Sequence, residues 1–145
     1  MRFWDSSAIV PLLVREAETP YFEKVYSSDA EMAVWWGTPV ECVSALARYE
    51  RDPRLAGTKV IDEGLRRLED ASVRWHEIGA SMQVRDTAVA LLRRHPLRAA
   101  GALQLAAATV AREDRIAGLD FVCADSVLIE AARKEGFNVI APGAM

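Results

Sequence analysis

Three carboxylates stand where an apolar, strand-like run gives way to the start of a helix. Asp5 directly follows the first such run, at residues 2–4. Glu41 comes shortly after a second run, and Asp125 directly follows a third. In parallel sheets, functional groups gather at the carboxyl ends of the strands, so acids far apart in sequence meet at one edge. The spacing therefore predicts a single cluster built from Asp5, Glu41 and Asp125.

A cluster of carboxylates favours one kind of chemistry. Like charges a few ångströms apart raise each other's pKa values unless a cation neutralises them. Hard oxygen ligands select Mg²⁺ or Mn²⁺, and such an ion activates water and stabilises charge on a phosphate oxygen. No serine or cysteine triad competes, because the only histidines, His76 and His95, have no nucleophile placed beside them by a motif. Phosphodiester hydrolysis is the reaction that this cluster suits best.

Each acid also has a purely structural explanation. Asp5 and Asp125 precede helices and are good N-cap residues. Thr38 and Glu41 match a capping box, with Pro39 at the first helical position. A carboxylate that caps such a helix already lies at the carboxyl ends of the strands, so the same residue can both cap the helix and bind a metal ion. The coincidence of three such acids favours the shared site.

The chain alternates between strand and helix patterns, which predicts an α/β sandwich with a parallel sheet. The second strand carries Val34, Trp35 and Trp36, expected to be covered on both faces, as in a sheet between helix layers. The predicted strands are residues 2–4, 31–36, 73–78, 120–124 and 138–140. The predicted helices are residues 8–16, 20–27, 38–51, 58–71, 82–94, 99–112 and 126–135.

Three details of this pattern make sharper predictions. The strand at 73–78 is weakly apolar and is expected near an edge of the sheet. The helix at 99–112 is the most apolar and is expected to be covered nearly all round, with one face formed by Ala100, Leu103, Ala107 and Val110. Asp120 begins its strand, so it should lie at the edge opposite the acids, about 15 Å away at ~3.3 Å per residue.

Composition sets the class of protein. A chain of 145 residues with 51% hydrophobic and 27% charged residues fits one domain, residues 1–145, with a substantial core. The net charge of −3 argues against nucleic-acid binding through a broad positively charged surface, but it allows a local basic strip. Such a strip would consist of Arg93, Arg94, His95 and Arg98. Alternatively, these residues form an ordinary solvated helix end.

Cysteines and apolar runs indicate the compartment. Cys42 and Cys123 lack CxxC spacing and are interpreted as reduced core residues of a cytoplasmic protein. The first five residues include a charge and an acid, unlike a signal peptide. No run approaches the roughly 20 apolar residues that span a bilayer. Tyr21, Phe22 and Tyr26 are either an apolar groove for a partner or ordinary core residues.

The motifs that carry these residues resemble the PIN domain, and most closely the VapC-type toxins of bacterial toxin–antitoxin pairs. The likeness covers nearly the whole chain, in the same order. It is carried by residues 3–8 (FWDSSA), 38–41 (TPVE), 97–108, 121–125 (FVCAD), 128–132 and 136–139. It implies a three-layer α/β/α sandwich with about five parallel strands in an order near 3-2-1-4-5. It also implies a Mg²⁺- or Mn²⁺-dependent endoribonuclease, usually a homodimer, inhibited by a small antitoxin that wraps the catalytic face.

Carried over by motif, the resemblance makes Asp5 the first acid, Glu41 the second and Asp125 the last. Ser6 would be a hydroxyl that supports the metal shell. The third acid is expected where the family motif has Arg-x-Ala-Asp-Ala-Leu-x-Leu, and this chain has Gly101 there. The chain thus departs from the family within the implied catalytic centre.

Gly101 is locally unfavourable. It falls in the first turn of an alanine-rich helix, where glycine costs up to ~1 kcal/mol relative to alanine, and no neighbouring residue calls for a positive φ. The first interpretation is a lost carboxylate, either in a natural degenerate protein or in a variant selected against toxicity. The alternative is a glycine that permits close packing or ligand approach.

Two function hypotheses follow, and a third is disfavoured. The chain is either an active metal-dependent endoribonuclease toxin or a catalytically impaired PIN domain that dimerises and binds an antitoxin. A phospho-receiver domain shares the length and the alternation. It needs an acceptor Asp after the third strand and a Lys after the fifth, and those places hold residues 79–81 (GAS) and 141–142 (AP).

Overall fold

Five short strands and seven α-helices make up the part of the chain that the computed structural model describes, residues 1–114 and 118–143. The strands are β1 (Arg2–Trp4), β2 (Met32–Trp35), β3 (His76–Ile78), β4 (Asp120–Val122) and β5 (Val139–Ile140). The helices are α1 (Ser6–Leu13), α2 (Thr19–Ser28), α3 (Thr38–Glu50), α4 (Val60–Ser72), α5 (Met82–Arg94), α6 (Ala99–Asp114) and α7 (Ser126–Lys134). A short 3-10 helix, Pro53–Leu55, lies between α3 and α4.

All neighbouring strands are parallel, in the order β3-β2-β1-β4-β5. This confirms the predicted α/β/α sandwich and its strand order 3-2-1-4-5. The chain proceeds from β1 outward to β2 and β3, then returns to place β4 on the other side of β1. Strand order therefore reverses between β1 and β4, and the carboxyl ends at such a reversal point form a crevice suited to binding.

Alternation along each strand divides the core between the two faces of the sheet. Phe3 packs with the α5, α6 and α7 side, stacked on Phe121 with ring centroids 5.5 Å apart. Trp4, the next residue, packs with the α1 to α4 side. Successive side chains of a strand point to opposite faces, so one strand supplies both cores. This two-sided burial requires a helical layer on each face.

All the predicted strands except the first are shorter than expected. Trp36 was expected to be covered within the second strand, but it lies beyond β2 and is 58% exposed. Residues 73–75 precede β3 because α4 continues to Ser72, and Val73 is 81% exposed. β3 does lie at the edge of the sheet, as predicted.

The apolar helix α6 is covered along most, but not all, of its length. Residues 104–111 are buried without interruption, which confirms the expected covering of that part. Ala100, predicted on the buried face, is exposed, because the first turn of α6 borders an open cavity rather than a helix.

The expected core residues are largely in place. Cys42 and Cys123 are free and buried. Phe22 is fully buried, and Tyr21 and Tyr26 pack beside it against the α1 to α4 core, so the aromatic groove is not formed by these residues. Among the described residues, no helix is both long and apolar enough to cross a membrane.

Candidate active site

Asp5 is held at the junction of β1 and α1. Its backbone N–H donates to the carbonyl of Val122 at 3.0 Å, which ties the end of β1 to β4. Its side chain caps α1 by accepting from the N–H of Ser7 at 3.1 Å, and it also accepts from the Ser7 hydroxyl. The Cys123 sulfur lies 3.6 Å from the same oxygen. Asp5 is therefore both the expected cap and an almost fully buried acid, 4% exposed.

Asp125 occupies the matching position after β4. Its Oδ1 accepts from the N–H groups of Val127 and Leu128, each at 3.0 Å, and so caps α7 as expected. Unlike Asp5, Asp125 is exposed. Since β1 and β4 are adjacent, the two caps bring their carboxylates to the same edge of the sheet.

Glu41 reaches the site in a different way. The predicted capping box is wrong, because Gly37 is the N-cap of α3 and Thr38 is buried inside the helix without capping it. Glu41 Oε1 instead accepts from the Ser6 hydroxyl at 3.0 Å, and Oε2 accepts from the Gln104 amide at 2.9 Å. The Glu41 carboxylate is thus oriented by donors on α1 and α6, not by its own backbone.

The position of α3 depends on the close approach of the Gly37 backbone to the Trp35 side chain. A Cβ at this position would lie 2.5 Å from Nε1 of Trp35, at the end of β2. Real Cβ atoms do not come so close to a rigid indole, so only glycine fits here without a shift. The glycine lets α3 begin immediately after β2, which sets Glu41 at the carboxyl edge of the sheet.

Burial and mutual repulsion govern the ionisation of the acids. Burial raises the pKa of Asp5, and the charge of Asp125 raises it further, although the hydrogen bonds from Ser7 oppose both effects. Burial, together with the charge of Asp5, raises the pKa of Glu41 to about 7. Asp5 is the central acid, since it interacts with both others. Nearby negative charges without a cation are unfavourable, and a bound cation would relieve this.

The acids open into one cavity of about 1260 Å³ that also exposes Gly101. Asp5, Glu41, Asp125 and Gly101 all line it, so the four positions singled out in the sequence share a single space. A Cβ on Gly101 would meet only Leu128 and Leu97 side chains, at 3.8 and 3.9 Å, which are ordinary contacts. Gly101 has no positive φ. Close packing therefore does not explain this glycine.

The fit of a metal ion is partial. Carboxylate oxygens with unrelieved negative charge are the donors that Mg²⁺ and Mn²⁺ prefer. Yet among residues 1–114 and 118–143, no group of three or more His, Cys, Asp or Glu side chains is arranged to hold a metal ion. Burial raises the pKa of the Cys42 thiol to about 12 and that of the Cys123 thiol also, so neither is a thiolate ligand or nucleophile. The site has the right donor chemistry but an incomplete set.

Other predicted residues lie in different surroundings. Asp120 begins β4, paired in register with Arg2 at the amino edge of the sheet, as expected. Arg94 and His95 do not form a free basic strip, because both contact the Glu135 carboxylate, at 2.9 and 2.6 Å. Arg98 lines the cavity.

Sequence reasoning missed two of the residues that hold the acids, Gln104 and Ser7. Gln104 is fully buried, and its amide also donates to Thr38 Oγ1 at 3.1 Å. Ser7, whose hydroxyl accepts from the N–H of Ala124 at 2.9 Å, links Asp5 to the end of β4. A signal for Gln104 was present, since it is the one amide side chain within a run of apolar residues. Ser7 offered no signal distinct from that of Ser6.

Comparisons with known proteins identify the fold. No family model matches the chain, and no curated protein sequence matches it. A chain of a toxin–antitoxin complex from Klebsiella pneumoniae is similar in structure, with a TM-score of 0.69 and 16% identity over 100% of both chains. PAE2754 from Pyrobaculum aerophilum has a TM-score of 0.64 and 17% identity, over 95% of this chain and 82% of that chain. At these identities the similarity shows a shared fold.

Proposed function

We propose that this chain descends from metal-dependent endoribonuclease toxins and that its acidic cavity is the RNA-cleaving site. The observation that carries the proposal is the convergence of Asp5, Glu41 and Asp125 on one cavity where strand order reverses. The pKa values of Asp5 and Glu41 are raised, as expected for buried, neighbouring carboxylates without a bound cation. The VapC-type resemblance assigns the same three residues to catalysis.

The residues of the site would have two roles, metal binding and orientation of a ligand. Asp5, Asp125 and Glu41 would supply oxygen ligands to a Mg²⁺ or Mn²⁺ ion, and Ser6 would orient Glu41 through the observed hydrogen bond. When bound, such an ion supplies an activated water and neutralises charge on the phosphate.

A second candidate function is favoured by Gly101. The glycine stands in the cavity with no steric reason for its presence, and the remaining acids do not form a three-ligand group in the described part of the chain. In this alternative the protein is a catalytically impaired PIN domain that dimerises and binds an antitoxin.

The partners of the chain are proposed on the same grounds. Structural similarity to a chain of a toxin–antitoxin complex supports a cognate antitoxin as a protein partner. RNA as substrate and a homodimeric state are proposed from the VapC-type resemblance, and a cytoplasmic location is proposed from the two cysteines without CxxC spacing. A short antitoxin-like reading frame immediately upstream of the gene would support the pairing. Co-purification of its product with this chain would test the contact directly.

Restoring the missing acid tests the proposal. RNA cleavage in Mg²⁺ would be compared for this chain and Gly101→Asp, with Gly79→Asp, at a site where a Cβ meets nothing within 4 Å, as the control. We expect Gly101→Asp to cleave about 10²-fold faster or more, by analogy with the loss of a key transition-state stabiliser. Equal, measurable rates would overturn the idea that Gly101 is a lost acid.

Metal uptake separates the two candidate functions. Calorimetric titration with Mn²⁺ should show binding to Gly101→Asp and weaker binding to this chain. A binding module without a metal site would take up no Mn²⁺ in either form. If neither form cleaves RNA or binds Mn²⁺, the nuclease proposal fails and the antitoxin-binding module remains.

A further inference from the structure

Gln104 is an isolated polar side chain inside a buried apolar helix. It is 0% exposed, with buried alanine and leucine residues on either side along α6. Its carbonyl oxygen Oε1 is buried without a hydrogen-bond partner among the described residues. An unpaired buried acceptor is unfavourable for folding, because it loses its water without replacement. Packing alone would favour an apolar residue here, so the amide needs another explanation.

The amide nitrogen of Gln104 supplies that explanation. It donates to Oε2 of Glu41 at 2.9 Å and to Oγ1 of Thr38 at 3.1 Å, both on α3. The Ser6 hydroxyl donates to the other Glu41 oxygen at 3.0 Å. Donors from two helices therefore hold both oxygens of one carboxylate. A glutamate has three side-chain torsions, and these two bonds restrict the orientation of its carboxylate.

We propose that Gln104 is a positioning residue, which holds the Glu41 carboxylate in the acidic cavity from one turn beyond Gly101. This inference rests on the proposed function, since it assigns a role toward the metal-binding acids. Partners that hydrogen-bond to ligating carboxylates commonly raise metal affinity by 10- to 100-fold. Gln104 lies on α6, the helix that also carries Gly101. Helix α6 therefore contributes to the site through the Gln104 amide, although it has no carboxylate at position 101.

The first experiment needs no metal. The chain contains only three side-chain amides, those of Gln83, Gln104 and Asn138, so their ¹⁵N–¹H signals are easily assigned. In the whole protein, Glu41→Ala should shift the Gln104 amide signals and speed their exchange with solvent. The signals of Gln83, which is exposed on α5, should not move. An unchanged Gln104 signal would overturn the proposal.

The second experiment measures Mn²⁺ affinity in the Gly101→Asp protein. Gln104→Met keeps the shape of the side chain without its amide, and it should weaken Mn²⁺ binding by about 10- to 100-fold. Gln104→His, whose Nε2 can donate from a similar place, should recover most of the affinity. Gln83→Met is the matched control and should have no effect.

A double variant separates positioning from general damage. If Gln104 acts through Glu41, then Gln104→Met should not weaken Mn²⁺ binding further in a Glu41→Ala background. Equal losses in both backgrounds, or no loss in either, would contradict the positioning role. If Gly101→Asp itself takes up no Mn²⁺, the proposed metal site fails instead. The Gln104 inference is then decided by the response of its amide signals to Glu41→Ala. Circular dichroism and urea unfolding would verify that each variant is folded.

Discussion

The acids of the site are held by two contrasting kinds of support. Asp5 and Asp125 are N-caps, fixed by the backbone N–H groups of residues two or three positions further along the chain. Glu41 is fixed by Ser6 and Gln104, which lie 35 and 63 positions away in sequence. The cap pair thus depends on local geometry, while Glu41 depends on the packing of α1, α3 and α6 against one another.

A fourth acid, Glu135, sharpens the contrast. Glu135, at the end of α7, also lies among other elements, but its carboxylate meets cationic groups. The hydrogen bond from the Arg94 guanidinium is the main reason that its pKa is held below the usual range, and His95 acts in the same direction. Asp5 and Glu41 have raised pKa values, and within residues 1–114 and 118–143 neither forms a salt bridge. An acid with its own counter-charge serves stability, whereas buried acids without one are candidates for chemistry.

The largest effect should come from the cap pair. In the Gly101→Asp protein, Asp5→Asn can keep the cap oxygen but removes the central charge of the site, so we expect RNA cleavage to fall at least about 10²-fold. The measurement is the initial rate in Mg²⁺. Asp120→Asn, at the opposite edge of the sheet, is the control and should retain the rate. A similar fall in both variants would mean that the acidic cavity is not the site.

The start of α3 provides the next test. Gly37→Ala would place a Cβ 2.5 Å from Trp35 Nε1, so the indole or the helix must move. Overpacking of this kind costs about 1–3 kcal/mol of unfolding free energy, measured by urea denaturation. Gly79→Ala, which meets nothing within 4 Å, should cost much less. Equal effects would show that α3 does not depend on this close approach.

Removing the charge of Glu41 should stabilise the protein. In metal-free buffer at pH 8 the carboxylate is ionised although burial and Asp5 raise its pKa to about 7. Glu41→Gln should therefore raise the unfolding free energy by about 1–3 kcal/mol, given about 1.4 kcal/mol per pKa unit. The Ser6 hydroxyl can turn to accept from the new amide. Glu50→Gln, exposed on the same helix, should change little, and a loss of stability in Glu41→Gln would contradict the prediction.

Glu135 should show the opposite and smallest effect. Its folded-state pKa lies below the unfolded value, so its contribution is present above about pH 4.5 and is lost as pH falls through the folded pKa. Glu135→Gln should therefore cost about 1 kcal/mol at pH 7, a modest value because Arg94 is half exposed. Urea unfolding at pH 7 and pH 3 would show this cost shrinking at low pH. Glu130→Gln, which breaks an exposed pair with Lys134, should cost less.

The sequence was informative wherever the signal is local. Helix α5 begins at Met82 and ends at Arg94, the bounds predicted from the sequence, because the pair His95-Pro96 stops it. Asp5 and Asp125 are caps because an acid before a helix has N–H groups within reach of its own side chain. The strand order was predicted from a family resemblance rather than from periodicity.

The prediction failed at the start of α3 and at the end of β2. The capping box at Thr38 and Glu41 has the correct spacing, yet Thr38 Oγ1 accepts from Gln104, and Glu41 turns toward α1 and α6. Trp36 has an apolar side chain that favours a covered strand, but β2 ends one residue earlier. At Thr38 and Glu41 the local capping preference was overridden by side chains from other helices.

The sequence alone determined the alternation of strands and helices, the two capping acids and the unusual glycine, because each follows from neighbouring residues. Only the tertiary structure decided that Gly101 lines the cavity of Asp5, Glu41 and Asp125, and that a Cβ at this position would make only ordinary contacts with Leu97 and Leu128. It also decided that Gln104 and Ser6 orient Glu41. The physical reason is distance along the chain, since packing of the helices brings together groups that no local pattern relates.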